Sequence, residues 1–126
     1  MRLLLDTHAL IWLFQGNRQM SEALLEQMYK ADSLAISVAS LWEIAIKKSI
    51  GKLDLDDSVS EYEHICHRGG IAILPISVGA LERIQQLPDI HRDPFDRLLI
   101  ASAAEEGMAL VTNDEKIRRY DIPTMW

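Results

Sequence analysis

The sequence predicts an α/β fold on a parallel sheet with helices over both faces. Three observations predict it. Short, nearly uninterrupted apolar runs recur along the chain: "RLLL", "SLAIS", "IAILPI" and "MALVT". Longer stretches with helical periodicity and cap residues lie between them. The 126 residues contain no repeat, low-complexity tract or linker, so 1–126 reads as one domain able to bury a core.

The elements follow in order. Residues 2–5 form a buried strand. "THALIWLF" (7–14) is helical, and "GNRQ" ends it. "SEALLEQMYKA" (21–31) is an amphipathic helix that Ser21 can cap. Residues 33–37 are a second strand. "VASLWEIAIKKSIG" (38–51) is a helix closed by Gly51. "SVSEYEHICHRGG" (58–70) is a polar-faced helix, and 71–76 a strand. "VGALERIQQL" (78–87) is a helix stopped by Pro88. "DPFDRLLIASAAEEG" (93–107) is a helix with Asp93 as cap and Pro94 in the first turn. Residues 108–112 are a strand, 113–120 a short helix, and "IPTMW" an edge strand. In such open sheets the site lies outside the carboxyl ends of the strands.

The net charge of −6 and pI of 5.1 argue against a protein that coats nucleic acid through a broad basic surface. They allow a nuclease with an acidic, metal-holding pocket, and they suit a basic partner. No apolar run approaches the ~20 residues of a membrane span. Asp6 and His8 interrupt the apolar N-terminus and no small-residue cleavage site follows, so a signal peptide is not expected. Cys66 is the single cysteine, which excludes an internal disulfide and suits the reducing cytoplasm.

Four acids stand in apolar company. Asp6 ends the first strand, where it can be a helix cap or a site residue. Glu43 is the single charge in "SLAISVASLWEIAI"; it needs a partner or a metal. Ser40 has capping-box spacing to Glu43, and Lys47 lies one turn on, so both offer structural explanations. In "HRDPFDRLLIASA", Asp93 caps and Arg97 can pair with it. Asp96 is then left without a local partner at the rim of the core. In "LVTND", Thr112 or Asn113 can cap, which leaves Asp114 for the site. These acids fall at strand–helix junctions or in an early helical turn, which an open sheet gathers at one edge. Carboxylates that close repel one another unless a cation sits among them, and magnesium or manganese prefers such oxygen donors.

These residues resemble a known family. "LLLDTHALIW", "SLWEIAIKKSIGKL", "DPFDRLLIASA" and "LVTNDEKI" are together similar to the PIN domain nucleases, and in particular to the VapC-type toxins of bacterial type II toxin–antitoxin systems. The resemblance covers essentially the whole chain, in order. It implies a three-layer α/β/α fold around a parallel sheet of four or five strands, and RNA cleavage dependent on Mg2+ or Mn2+. It maps the family's acids onto Asp6, Glu43, Asp96 and Asp114, and its hydroxyl residue onto Thr112. Asp6 and Asp96 would be the principal metal ligands. Glu43 and Asp114 would act directly or through water. No metal role is carried onto Asp93. The implied partners are an RNA substrate, an antitoxin with a DNA-binding part and a basic tail, and a second copy of the chain.

Lys47, Arg92 and Arg97 are candidate phosphate contacts, although salt bridges or solvated charges account for them more simply. His8 and His91 flank the presumed site, and local contacts account for both. His64, Cys66 and His67 are soft-metal ligand types without a further ligand pair, so a zinc site is not expected. Trp12, Phe14, Trp42 and Ile46 read mostly as core, with some available to a partner groove. Two alternatives stand beside the ribonuclease. One is an aspartyl-phosphate phosphatase with Asp6 as nucleophile, disfavoured because His8 stands where a second acid is usual. The other is a metal-binding interaction module without catalysis.

Overall fold

A computed structural model describes residues 1–16 and 19–126 of the chain. The elements run β1 (Arg2–Leu5), α1 (Thr7–Gln15), α2 (Glu22–Tyr29), β2 (Ser33–Ser37), α3 (Val38–Ser49), α4 (Val59–Arg68), β3 (Ile71–Leu74), α5 (Val78–Ile84), α6 (Pro94–Glu106), β4 (Ala109–Val111) and β5 (Thr124–Met125), with a 3₁₀ turn at Ile117–Arg119. One five-stranded sheet has the order β3-β2-β1-β4-β5, and every pairing is parallel.

The central strands β1 and β4 are short and apolar, and Leu3–Leu5 and Ala109–Val111 are buried on both faces of the sheet. In β1 the pleat sends alternate side chains to opposite faces. Leu3 and Leu5 join a core with α1 (Leu10), α2 (Leu24, Met28), α3 (Leu41, Ile44) and α4 (Tyr62, Cys66). Leu4 points the other way, onto α6 (Leu99, Ile100, Ala103) and the 3₁₀ turn (Ile117). All three leucines are fully buried, and each contributes roughly 2–3 kcal/mol of apolar transfer. This gives the expected three-layer α/β/α architecture with five parallel strands.

The helix starts carry the predicted chemistry. Asp6, Ser21, Ser37, Ser58, Ser77 and Asp93 all cap by accepting a backbone N–H. In the predicted stop "GNRQ", Gly16 ends α1 in the left-handed region at φ 63°, which favours glycine; Asn17 and Arg18 lie outside the described residues. Several ends are shorter than the sequence suggests. The strand at 71–76 stops at Leu74, and the helix at 78–87 at Ile84. The predicted helix at 113–120 is only a 3₁₀ turn, because Asp114 spends its capping capacity on a tight turn there.

The sheet order places the site. β1 lies between β2 and β4, and the Asp6 N–H donates to the Val111 carbonyl at 3.0 Å. The carboxyl ends of β1 and β4 therefore deliver Asp6 and Thr112 side by side, while α3 leaves β2 directly at Ser37.

Candidate active site

Asp6 is 2% exposed. Its Oδ1 accepts the Ala9 N–H at 2.8 Å, so it caps α1 while remaining in the pocket. Burial pushes its carboxyl above the ordinary value; the Thr112 hydroxyl and the Ala9 N–H pull it back. Thr112 is fully buried, and its Oγ1 also accepts the Asp114 N–H at 3.0 Å. One hydroxyl thus ties the acids of two strands together.

Glu43 is 7% exposed. Its Oε2 pairs with Lys47 at 2.8 Å, as the one-turn spacing allows. Its Oε1 is buried with no hydrogen-bond partner. The Ser40–Glu43 capping box is absent: Ser37 caps α3, and the buried Ser40 hydroxyl instead meets the Thr7 hydroxyl of α1 at 3.0 Å.

Asp93 caps α6, accepting the Asp96 N–H at 2.9 Å. Its expected pairing with Arg97 does not form. The Arg97 guanidinium donates instead to the carbonyls of Ile84, Pro88 and His91 and to the Tyr120 hydroxyl, at 3.0–3.3 Å. Three carbonyls arranged around a planar fork outcompete a carboxylate already used as a cap. Arg97 is therefore a loop anchor, and its candidacy as a phosphate contact is withdrawn.

Asp96 does have a local partner. His91 Nε2 lies 3.0 Å from Asp96 Oδ2 and 3.2 Å from Asp114 Oδ2. These three residues offer ligand-type atoms within 4.8 Å of one another. Burial pushes the Asp96 carboxyl up to about 7, the nearby charges of Asp93, Glu43 and Asp6 add to this, and His91 opposes it. Asp114 behaves differently. Burial pushes it up, but the Ile117 and Lys116 N–H groups and His91 hold it below the usual carboxylate range. Its Oδ1 takes both of those N–H groups at 3.1 and 2.8 Å, leaving Oδ2 toward His91. Thus Asp114 does its own capping, with Thr112 holding its N–H.

The four predicted acids are therefore one electrostatic group: Asp96 feels Glu43 and Asp6, and Asp6 feels Asp114. His91 belongs with them. The signal that marks it was present in its position three residues before the α6 first turn, but nothing local indicated which way its ring turns. Arg92 is exposed near the rim. His8, on α1, stacks obliquely toward Trp12. Cys66 is buried in the core, and burial pushes its thiol up. Phe14 packs flat on Tyr62 at 4.3 Å, and Trp12 meets Trp126 edge-on at 5.3 Å. Trp42 and Ile46, expected mostly in the core, are 58% and 38% exposed; α3 turns them away from the sheet, with Trp42 against Phe95.

The five-stranded parallel sheet, with Asp6 and Asp114 following β1 and β4 at its carboxyl edge, fits the fold that the sequence resemblance implies. The PIN domain family model matches residues 3–123, and the chain belongs to that family. Its relatives narrow this to the VapC type. Ribonuclease VapC22 of Mycobacterium tuberculosis is 30% identical over 132 residues, covering 98% of this chain and 97% of its own length. Among solved structures, VapBC2 of Rickettsia felis, bound to a DNA fragment from its promoter, superposes with a TM-score of 0.75 at 20% identity over 99% of this chain and 98% of its own. A toxin–antitoxin complex from Klebsiella pneumoniae gives 0.66 at 24% identity over 98% and 96%. Those two likenesses speak to the fold.

Proposed function

We propose that the chain is a divalent-cation-dependent endoribonuclease, the toxin of a toxin–antitoxin pair. The observation that carries the reading is the Glu43 Oε1 atom, buried and without a partner, on an acid whose charge helps push the Asp96 carboxyl up to about 7. A buried oxygen without a hydrogen-bond partner and a carboxyl raised by burial and neighbouring acids fit the donor set of a divalent cation. The donors are mainly carboxylate oxygens, the chemistry that Mg2+ or Mn2+ prefers. The ribonuclease name of the 30% relative supports RNA as substrate.

In this reading Asp6 and Asp96 are the principal ligands, and Glu43 and Asp114 complete the pocket directly or through water. When bound, the cation lowers the cost of deprotonating water and offsets charge on the cleaved phosphodiester. The chain's own residues set the geometry. The Ala9 N–H and Thr112 fix Asp6, Lys47 fixes one oxygen of Glu43, and the α6 cap at Asp93 presents Asp96. Water's oxygen bonds to phosphorus as the bond to the leaving ribose oxygen breaks; water loses a proton and the leaving oxygen gains one. Arg92, exposed at the rim, is the remaining phosphate contact, with Lys47 available if it swings from Glu43.

The partner reading rests on the relatives solved as toxin–antitoxin complexes. A groove of 610 Å³ lined by Trp12, Leu13, Met20 and Leu25 suits an apolar antitoxin segment, and the −6 charge suits a basic tail. No helix among the described residues is long and apolar enough to cross a membrane.

The test is purified protein, Mg2+ or Mn2+, and a mixed RNA pool. Wild type is expected to cleave, and Asp6→Asn and Asp96→Asn to lose cleavage by at least ~100-fold. Equal cleavage by wild type and Asp6→Asn ends the nuclease reading. A beryllofluoride adduct on Asp6 favours the phosphatase, and cation binding without cleavage favours the interaction module.

A further inference from the structure

We propose that His91 is a positioning residue: its Nε2 proton holds Asp96 and Asp114 together as a preformed pair for the cation. The inference deepens the cation-pocket reading above and rests on it.

The tautomer is set by the backbone. His91 Nδ1 lies 3.2 Å from the Asp93 amide nitrogen. A backbone N–H can only donate, so Nδ1 presents its lone pair, and the proton of the neutral ring sits on Nε2. That nitrogen faces two acceptors, Asp96 Oδ2 at 3.0 Å and Asp114 Oδ2 at 3.2 Å. Direct metal ligation by Nε2 would require moving its proton to Nδ1, where it would confront the Asp93 N–H. The ring therefore supports the ligands from outside.

The loop that carries the ring is anchored independently of the acids. The Tyr120 hydroxyl accepts the His91 N–H at 2.8 Å and donates to the Pro88 carbonyl at 2.8 Å. Arg97 clamps the His91 and Pro88 carbonyls. The ring thus stands on a fixed base and draws together two carboxylates from different elements, α6 and the loop after β4. Without that bridge the two would repel. With it, the pair is oriented in advance, within reach of the charge of Glu43, whose Oε1 has no partner. Hydrogen-bond partners of ligating carboxylates typically govern 10–100-fold in metal affinity.

The experiment is calorimetric titration of Mn2+ and Mg2+ into wild type, His91→Ala and His91→Gln, with ¹⁵N spectra of the wild-type ring. Expected are about 10–100-fold weaker binding in His91→Ala, substantial recovery in His91→Gln, whose amide N–H reaches a similar position, and a ring that keeps its Nε2 proton when cation is added. Circular dichroism establishes that each variant is folded; if His91→Ala is not, the comparison of His91→Gln with wild type decides, with binding expected within about threefold. His91→Ala binding as tightly as wild type, or more tightly, overturns the inference. So does a spectrum showing Nε2 coordinated to the added ion. Absence of cation binding in wild type would instead remove the cation-pocket reading itself, and this inference with it.

Discussion

Asp96→Asn should make the cation-free protein more stable while abolishing cleavage. The Asp96 carboxyl moves from 3.8 in the unfolded chain to about 7 in the fold. Its side chain is only 16% exposed, so solvent does little to screen the effect. Below about pH 4 both states are protonated and nothing is lost. Between 4 and 7 the unfolded chain ionises while the fold retains its proton, so stability falls as pH rises; above 7 the loss is complete. At ~1.4 kcal/mol per pH unit, the gap costs the folded wild type about 4 kcal/mol. Asparagine cannot ionise, and its carbonyl oxygen can still accept from His91. We expect Asp96→Asn to gain at least about 2 kcal/mol in chelated buffer at pH 7.5, some 5–10 °C in Tm. The assay is thermal unfolding from pH 4 to 8 with chelator, then with added Mg2+ or Mn2+. The wild-type curve should fall with pH, the variant curve should stay flatter, and added cation should raise wild type alone. A variant that melts at or below wild type at pH 7.5, with the same pH slope, would refute the reasoning.

Two further outcomes follow from the same geometry. Thr112→Val removes the hydroxyl that pulls the Asp6 carboxyl down; Asp6 then ionises at higher pH, so the acidic limb of the cleavage profile should move to higher pH, and an unmoved limb would count against Thr112 as its support. Arg97→Ala removes the guanidinium that three carbonyls and the Tyr120 hydroxyl share, for a loss of about 2–4 kcal/mol by denaturant titration, and Arg97→Lys should recover little because an ammonium cannot span the fork; full stability in either variant would show that the loop holds itself.

Much of this was legible in the chain. Strand composition and cap residues fix their own local geometry, so all five strands and the six helix starts lie close to where the sequence puts them. The acids were legible because each is a charge in an apolar neighbourhood. What could not be read is what depends on several distant partners at once. Arg97 has Asp93 one turn away, yet binds carbonyls on α5 and the following loop, because Asp93 is already used. His91 gains its place from Tyr120, which is remote in sequence. Trp42 and Ile46 look like core by type, but α3 presents its other side to the sheet.

Structural and site roles look like competing explanations in sequence; in the fold, one oxygen of a carboxylate can make the structural contact and leave the other toward the acidic cluster. Asp6 gives Oδ1 to the α1 start. Asp114 gives Oδ1 to the turn at Lys116 and Ile117, and keeps Oδ2 toward His91. Glu43 gives Oε2 to Lys47 and keeps Oε1 unpartnered. Asp96 escapes the cap because Asp93 supplies it. This division has an energetic reason. A carboxylate anchored by one oxygen has little rotamer freedom left to lose, so a ligand meeting the other oxygen finds it already oriented. The same anchoring makes the cluster costly to hold without a counter-charge, since Asp6 and Glu43 are buried and cannot turn out to solvent. In the proposed cation pocket, contacts the fold already makes would aim the ligands: the caps by Asp6 and Asp114, and the pairing of Glu43 with Lys47.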